Sequence, residues 1–193
     1  MKRKPIVNIT VVAAMSAVAT VIYMLFPEIP LVPGVSYLKL DFSDIPAIAA
    51  GITLGPVQGI LVEVIKNIIH LSKTTTYGIG EIMNVVIGGG MIVSLCGFTK
   101  LFSRLLKKSE MSAATYYIAA VLAVFATILI GWMMNAAMTP IFFKLSGIPI
   151  TAAAIKAGVW GSTLLNAVKA AFNLLPFYPV YFALHRTFRK INK

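Results

Sequence analysis

This chain consists mainly of long apolar stretches, which are separated by short polar or proline-rich segments. Most of these stretches exceed the roughly 20 residues with which an α-helix crosses the hydrocarbon core of a bilayer. The pattern predicts an all-α integral membrane fold with six transmembrane helices, over residues 6–26, 42–54, 57–71, 79–101, 113–137 and 157–184. The second and third are shorter than a perpendicular span requires, and Gly55-Pro56 predicts a turn between them.

The segments between these spans predict external loops that contain helix-breaking residues. The first loop, residues 27–34, holds three prolines and a glycine, which excludes a regular helix. A polar loop is predicted over residues 72–77, and another external loop over residues 139–151. We see no internal repeat in the sequence, so residues 1–193 are expected to form a single transmembrane domain.

Composition agrees with this picture, because 59% of the 193 residues are hydrophobic and only 12% are charged. A soluble domain carries roughly a quarter charged residues. The basic residues 2–4 and the apolar run after them resemble a signal peptide, but the run continues to Phe26 and is long enough to span a bilayer. We therefore expect a retained first helix and a multi-pass protein of the cell membrane.

The distribution of the net charge of +11 argues against nucleic-acid binding. Most of the 17 Lys and Arg residues fall in three clusters that flank apolar stretches, at residues 2–4, 100–108 and 186–193. Positively charged loops of this kind remain on the cytoplasmic side of a membrane. With six spans all three clusters lie on one side, so we expect cytoplasmic termini, a lipid bilayer as surroundings and no nucleic acid as a partner.

The sequence lacks the common short motifs of nucleotide-binding and hydrolytic enzymes. It contains no G-x-x-x-x-G-K-[ST] loop to cradle phosphates, no H-E-x-x-H metal motif and no G-x-S-x-G nucleophile elbow. Cys96 is the single cysteine, which excludes a disulfide within the chain. We therefore expect no catalytic residues, no metal site and no cofactor.

Polar residues inside the apolar spans are the candidates for function, because each is costly in lipid. In the sixth span, Asn166 and Lys169 are three residues apart and share a helix face, with Asn173 on roughly the same face. An amide and an ammonium can together bind a ligand rich in carbonyls and ring nitrogens. The alternative is that they only link neighbouring helices, but the position of Lys169 near mid-span favours a ligand.

Two further pairs lie near the predicted outer ends of their spans, Glu81 with Asn84 in the fourth and Trp132 with Asn135 in the fifth. Both pairs point to an external cavity. Ordinary hydrogen bonding between helices, with the tryptophan at the membrane interface, explains them equally well. The pattern alone leaves these two interpretations open.

Other residues in the spans favour structural roles. Glu63 and Lys66 carry opposite charges three residues apart and are predicted to pair. Ala13 and Ala17 belong to a stripe of small residues in the first span, which allows a helix of this chain or of a partner subunit to approach closely. The glycines at residues 88–90 likewise predict close packing.

The segment YLKLDFSDIPA at residues 37–47 places two aspartates at the start of an apolar span, directly after the proline-rich loop. Together with Gly55-Pro56 and the Glu63…Lys66-Asn67 stretch, it resembles the riboflavin-specific substrate-binding subunits (S components) of energy-coupling factor (ECF) importers. The length, the six spans, the internal termini and the small-residue first helix agree with that family. The resemblance is specific over residues 37–67 and generic elsewhere.

The resemblance implies a riboflavin site in a cavity that opens to the outside. It implies contacts of the first loop through Leu38 and Leu40, and contacts with the polar edge of the flavin ring through Asn135, Asn166 and Lys169. Contacts of Glu81 and Asn84 with the ribityl hydroxyls are a further implication. Riboflavin would be the transported ligand, and we expect it in preference to its phosphate because the sequence shows no arginine cluster.

The resemblance also implies partner subunits. Ala13 and Ala17 match the small-residue motif through which S components dock on a transmembrane coupling protein. Two ATPase subunits would then supply the energy, which agrees with the missing phosphate-binding loop.

Three alternatives remain at this stage. An S component for another vitamin is the nearest of them. A small intramembrane enzyme would use Glu81, or Glu63 with Lys66, as acid and base, and Glu81→Gln would then abolish turnover. A scaffold without a ligand predicts that Asn166→Ala and Lys169→Ala change stability only.

Overall fold

Helices dominate the computed structural model, which describes residues 5–25, 29–30, 39–40, 42–107 and 112–183. A short 3-10 turn, Leu71–Lys73, follows the third helix. Three of the helices contain stretches that are long and apolar enough to cross a bilayer, Ile6–Leu25, Ile79–Leu105 and Ala113–Leu145, and the predicted helical membrane fold is confirmed at this level. Within the described residues the α-helices are α1 (Pro5–Leu25), α2 (Ile45–Leu54), α3 (Pro56–His70), α4 (Ile79–Leu105), α5 (Ala113–Leu145) and α6 (Ala152–Leu174).

The chain between α1 and α2 contains a short β-hairpin. β1 (Ile29–Pro30) pairs antiparallel with β2 (Lys39–Leu40), and Ile29 lies opposite Leu40. β2 also lies beside α6. The described residues of this proline-rich segment are therefore extended rather than helical, as predicted.

The helices α2 and α3 form an antiparallel hairpin that turns at Gly55. This glycine has a φ angle of 126°, which residues with a side chain rarely adopt, and Pro56 begins α3, where a missing N–H costs nothing. Gly51 and Gly59 meet across the hairpin at equal distance from the turn. The predicted turn is confirmed, and the hairpin is held together by close contact of two helix backbones.

We expect Gly59→Ala to destabilise the hairpin by about 1–3 kcal/mol, because tightly packed sites tolerate added atoms poorly. A Cβ at residue 59 would lie 2.8 Å from the carbonyl oxygen of Ala47 and 2.9 Å from the Cα of Gly51, and both are backbone atoms. Gly97→Ala is the matched control, since a Cβ there meets nothing within 4 Å and alanine favours a helix. Unfolding in detergent compares the two; equal stability of Gly59→Ala and wild type would contradict the close contact.

Helix α5 is longer than predicted and continues through a proline. The predicted span ends at Ala137 and the predicted loop begins at Thr139, whereas the helix reaches Leu145 with Pro140 inside it. That prediction is wrong because packing against α6 outweighs the local effect of proline. Phe143 is buried, and its ring lies 2.9 Å from the position of a Cβ added to Gly158 of α6.

Helix α6 lies earlier in the chain than the predicted span over residues 157–184. It begins at Ala152, because the hydroxyl of Thr151 accepts a hydrogen bond of 3.1 Å from the backbone N–H of Ala154 and caps the helix. It ends at Leu174, two residues before Pro176, whose nitrogen cannot donate. Residues 178–183 are helical again after this break.

The remaining helix contacts enclose a space in one half of the bundle. α4 packs between α3 and α5, α5 packs against α6, and α1 packs against α2 and α3. Gly88 and Gly90 allow these close approaches, because an added Cβ would lie 3.0 Å from the Glu63 carboxyl group and 2.6 Å from Ile130, respectively. The packing predicted for the glycines at residues 88–90 is confirmed.

Candidate ligand-binding site

A cavity of about 220 Å³ lies between α3, α4, α5 and α6, with Tyr23 of α1 on its wall. We call the end of the bundle that carries Arg104 and Lys107 the inner end, and the opposite end the outer end. These helices contribute to the cavity from their outer halves or their middles, because the wall includes the end of α3, the start of α4 and the second half of α5. The cavity therefore belongs to the outer half of the protein.

The predicted ligand residues with described side chains all lie on the wall of this cavity. They come from three helices that the sequence could not place side by side. The structure thus brings them together around one cavity, while the opening of this cavity to the outside of the cell and the role of each residue as a ligand contact stay predictions. The residues are Glu81, Asn84, Asn135, Asn166 and Lys169.

The two predicted loop contacts are less defined. Leu38 lies outside the described residues. Leu40 belongs to β2, which lies beside α6, but its side chain is also outside what the structure describes. Both assignments stay predictions.

Lys169 is the innermost residue of α6 on the cavity wall. Its Nζ donates a hydrogen bond of 2.8 Å to Oδ1 of Asn84 on α4, and lies 3.1 Å from Oδ2 of Asp44 at the start of α2. The side chain is only 11% exposed. An ammonium group is thereby held where three helices meet, on the wall of a partly apolar cavity.

Lys169 is one member of a buried ionic cluster, which we define as Asp44, Glu63, Lys66 and Lys169. The carboxylate of Asp44 contacts both ammonium groups, and Oε2 of Glu63 lies 3.0 Å from Nζ of Lys66. By formal charge the cluster holds two acidic and two basic groups, and pairing of opposite charges offsets part of the cost of removing them from water. The predicted pair of Glu63 and Lys66 is confirmed, as part of a larger cluster.

Asparagines connect this ionic cluster to the cavity wall. The side-chain amide of Asn67 donates to the backbone carbonyl of Glu63 at 2.8 Å, and Asn84 donates to Oδ1 of Asn67 at 3.2 Å. Asn173, predicted on the same face as Asn166, instead donates to Oδ2 of Asp44 at 3.4 Å. These amides fix the relative positions of α3, α4 and α6 around the cavity.

Asn135 presents a buried hydrogen-bond acceptor. Its side chain is 1% exposed, and its amide nitrogen donates to Oγ1 of Thr163 at 3.4 Å. Its Oδ1 has no hydrogen-bond partner among the described residues. A buried carbonyl without a partner costs about 1–3 kcal/mol, so a ligand N–H at this place would be favourable.

Asn166 and Trp132, which the sequence also singled out, differ in their position relative to the cavity. Asn166 lies on the cavity wall beside Gly131, where an added Cβ would come within 3.0 Å of its amide nitrogen. Gly131 thus makes room for Asn166. Trp132 is 44% exposed and is not on the wall, which agrees with a position at the membrane interface.

Glu81 is engaged by the chain itself. One carboxylate oxygen lies 2.9 Å from Nδ1 of His70, and the other accepts a hydrogen bond of 2.9 Å from the hydroxyl of Thr74. His70 in turn stacks on Tyr23, with 3.8 Å between the ring centres. Glu81 therefore ties the segment between α3 and α4 to the outer end of the bundle, in addition to lying on the wall.

Sequence reasoning missed several residues of the site, among them Tyr23, Asp44, Asn67 and His70. A signal for Asp44 was present, because Asp44 and Lys66 are each eleven residues from Gly55. Residues equally far from the turn of an antiparallel hairpin lie opposite each other, as Gly51 and Gly59 do. Tyr23 and His70 carry no comparable signal.

The cavity wall combines apolar surface with a few polar groups, as small-molecule sites usually do. A flat, largely apolar molecule that carries acceptors and a donor along one edge would match Lys169 and the Asn135 carbonyl. Across the described residues, no group of three or more His, Cys, Asp or Glu side chains could hold a metal ion. The apolar part of the wall includes Met83, Ile87, Met138, Phe142 and Leu165.

Ala13 and Ala17 of α1 face away from the bundle. Both are exposed, whereas Val12, Ala19 and Ser16, a small residue of the same stripe, are buried against the other helices. The two alanines are thus not used for packing within the described part of the chain. Their predicted use by a partner stays a prediction.

Residues 6–181 match the family described as ECF transporter, substrate-specific component. The protein belongs to this family. The match covers most of the chain and agrees with the helical fold and the cavity. This substrate-specific component is therefore a multi-pass protein of the plasma membrane.

Curated relatives with similar sequences carry transporter names. This substrate-specific component is 33% identical to the riboflavin transporter RibU of Staphylococcus aureus (strain TCH60) over 93 residues, 48% of this chain and 47% of the relative. It is 38% identical to the riboflavin transporter FmnP of Bacillus subtilis (strain 168) over 87 residues, 42% and 43% of the two chains. These matches span somewhat less than half the length of either relative.

A solved structure extends the comparison of the fold to the whole chain. It comes from a study of the structure and mechanism of the S component of a bacterial ECF transporter. The TM-score is 0.71 over 98% of this chain and 99% of the other, at 22% sequence identity. At this identity the likeness concerns the fold.

Proposed function

We propose that this substrate-specific component binds riboflavin from outside the cell and is the riboflavin-binding subunit of an ECF-type importer. The family membership supports a substrate-binding transport subunit. The relatives named as riboflavin transporters support the identity of the ligand. These matches reach only part of each relative, so the ligand rests also on the chemistry of the cavity.

The single observation that carries the proposal is the joint position of Lys169, Asn135 and Asn166 on one wall. Riboflavin has a flat, apolar ring system with carbonyl oxygens and an N–H along one edge. Lys169 can donate to a carbonyl, and the Asn135 carbonyl can accept from the N–H. The apolar side chains around them suit the ring, and Glu81 and Asn84 are within the same cavity for the ribityl hydroxyls.

The topology in this proposal has six spans, cytoplasmic termini and an external first loop. The alternating directions of α1 to α6 bring residue 5, the Gly55 turn and residues 104–107 to the inner end. The basic residues Arg104 and Lys107 then face the cytoplasm, in line with the positive-inside rule. The cavity and β1–β2 face outward, and the whole chain acts as one domain.

The partners in this proposal are a transmembrane coupling protein and two ATPase subunits. The exposed Ala13 and Ala17 offer a smooth helix face to the coupling protein. The ATPase subunits would contribute the phosphate-binding loop that this sequence lacks.

The arrangement of charges favours this role over an intramembrane enzyme. Glu63 and Lys66 are fully buried in the ionic cluster and are not on the cavity wall. Both oxygens of Glu81 accept hydrogen bonds from the chain. Glu63 and Lys66 are therefore remote from a substrate in the cavity, and Glu81, although on the wall, is held by hydrogen bonds within the chain.

The test is a titration of the purified protein in detergent with riboflavin, followed by quenching of flavin fluorescence. We expect quenching that saturates near one equivalent, because an aromatic-lined cavity with fixed donors holds one ring. The phosphorylated flavin is titrated in parallel, and we expect weaker binding of it. A folded protein that leaves riboflavin fluorescence unchanged would overturn the proposed ligand.

A further inference from the structure

Asp44 occupies an unusual position relative to the cavity. It lies immediately before α2, a few residues after β2, and is 1% exposed. Asp44 is not on the cavity wall, whereas Lys169 is. The carboxylate of Asp44 lies 3.1 Å from the ammonium group of Lys169. Asp44 is therefore separated from the cavity by one side chain, that of Lys169.

The carboxylate of Asp44 is itself held in place from two sides. Lys66 of α3 donates to Oδ1, and Asn173 of α6 donates to Oδ2 at 3.4 Å. Lys66 is fixed in turn by Glu63, 3.0 Å away. The negative charge of Asp44 is thus anchored on a short hairpin whose backbones touch at Gly59, and it has little room to move.

A lysine side chain has four rotatable bonds, and its ammonium group can occupy many places in a cavity. Asp44 and Asn84 together select one of these places, since they lie 3.1 Å and 2.8 Å from the nitrogen. Attraction between buried opposite charges is much stronger than at a surface. The charged partner therefore contributes the larger part of this selection.

We infer that Asp44 is a positioning residue of the ligand site and acts through Lys169. The anchored carboxylate fixes the Lys169 ammonium on the cavity wall, where it meets the carbonyl edge of the ligand. This inference rests on the proposed function for the identity of the ligand. It adds a residue outside the cavity that sets the affinity and the orientation of the ligand inside it.

The test compares two substitutions that each replace one carboxyl group of the ionic cluster by an amide of the same shape. Asp44→Asn alters a partner of both Lys169 and Lys66, whereas Glu63→Gln alters a partner of Lys66 alone and is the matched control. We expect Asp44→Asn to weaken riboflavin binding about tenfold or more, and Glu63→Gln to weaken it by less than about threefold. Equal losses in the two variants would mean that only the total charge matters, and would overturn the inference.

A second measurement separates positioning from general stability. In a Lys169→Met background, Asp44→Asn should cause no further loss of affinity, because the residue through which it acts is gone. The visible spectrum of flavin bound to Asp44→Asn should also shift toward that of flavin bound to Lys169→Met. An undiminished loss in the Lys169→Met background, or an unchanged spectrum, contradicts the inference.

Asp44→Glu gives a test that retains the charge if Asp44→Asn does not fold. It displaces the carboxylate by one methylene, so we expect weaker binding at an unchanged total charge. Wild-type affinity in Asp44→Glu would overturn the inference. If the wild-type protein does not bind riboflavin, the proposed function is wrong. If the wild type binds riboflavin but no more tightly than Asp44→Asn, only this inference is wrong.

Discussion

Lys66→Met should lower the free energy of unfolding by about 3–5 kcal/mol, the range for breaking a buried ion pair by removal of one partner. Lys66 is fully buried and contacts the carboxylates of Asp44 and Glu63. Methionine fits the space but leaves these carboxylates with only the charge of Lys169 to balance them within the cluster. Unfolding of the protein in detergent by a denaturant measures the loss.

Two further variants test whether the loss of stability comes from the charge of Lys66. Lys73→Met removes an exposed lysine of the 3-10 turn and should change stability by less than about 0.5 kcal/mol. Adding Glu63→Gln to Lys66→Met removes the surplus negative charge and should restore a large part of the stability. A double variant as unstable as Lys66→Met would show that the hydrogen-bond geometry matters more than the charge balance.

Lys169→Met should weaken riboflavin binding by about tenfold to a hundredfold. Hydrogen bonds from a charged donor contribute about 1.5–3 kcal/mol, and Lys169 is the buried one of the two lysines on the described cavity wall, since Lys73 is exposed. Fluorescence titration gives the affinity, and unfolding of the ligand-free variant reports the separate structural cost of leaving Asp44 with one partner fewer.

Lys156→Met is the control on the same helix, because Lys156 is exposed and is not on the cavity wall. Its affinity for riboflavin should equal that of the wild type. If Lys169→Met also binds normally and is merely less stable, Lys169 links helices and does not touch the ligand. The ring edge would then be recognised by Asn135 and Asn166 alone.

The cavity residues could be predicted because their signal is local. A polar side chain inside an apolar span is costly wherever the span lies, so Asn84, Asn135, Asn166 and Lys169 stand out without any knowledge of their neighbours. The spacing of three residues then assigns each pair to one helix face. The structure brings these four residues together around one cavity, whereas Trp132 is not on its wall.

The partners of these residues could not be predicted, because they are distant in the chain. Lys169 and Asn84 are 85 residues apart, and Asn173 and Asp44 are 129 residues apart. No local pattern encodes such contacts, with the exception of the symmetry of Asp44 and Lys66 about Gly55. The ends of α5 and α6 were misplaced for a related reason, since tertiary packing decides whether a helix passes Pro140.

The ionic cluster also bears on how the protein enters the membrane. Asp44, Glu63 and Lys66 all belong to the α2–α3 hairpin and its cap, which by formal charge has one acidic group more than basic groups. The compensating charge, Lys169, is on α6. Because synthesis proceeds from the N-terminus, the hairpin leaves the ribosome long before its counter-charge. An unbalanced charge at mid-bilayer costs about 2.5–3.5 kcal/mol, so the hairpin reaches its final depth at least cost after α6 has been inserted. We therefore expect the hairpin to become fully stable only when the lysine on the cavity wall is in place.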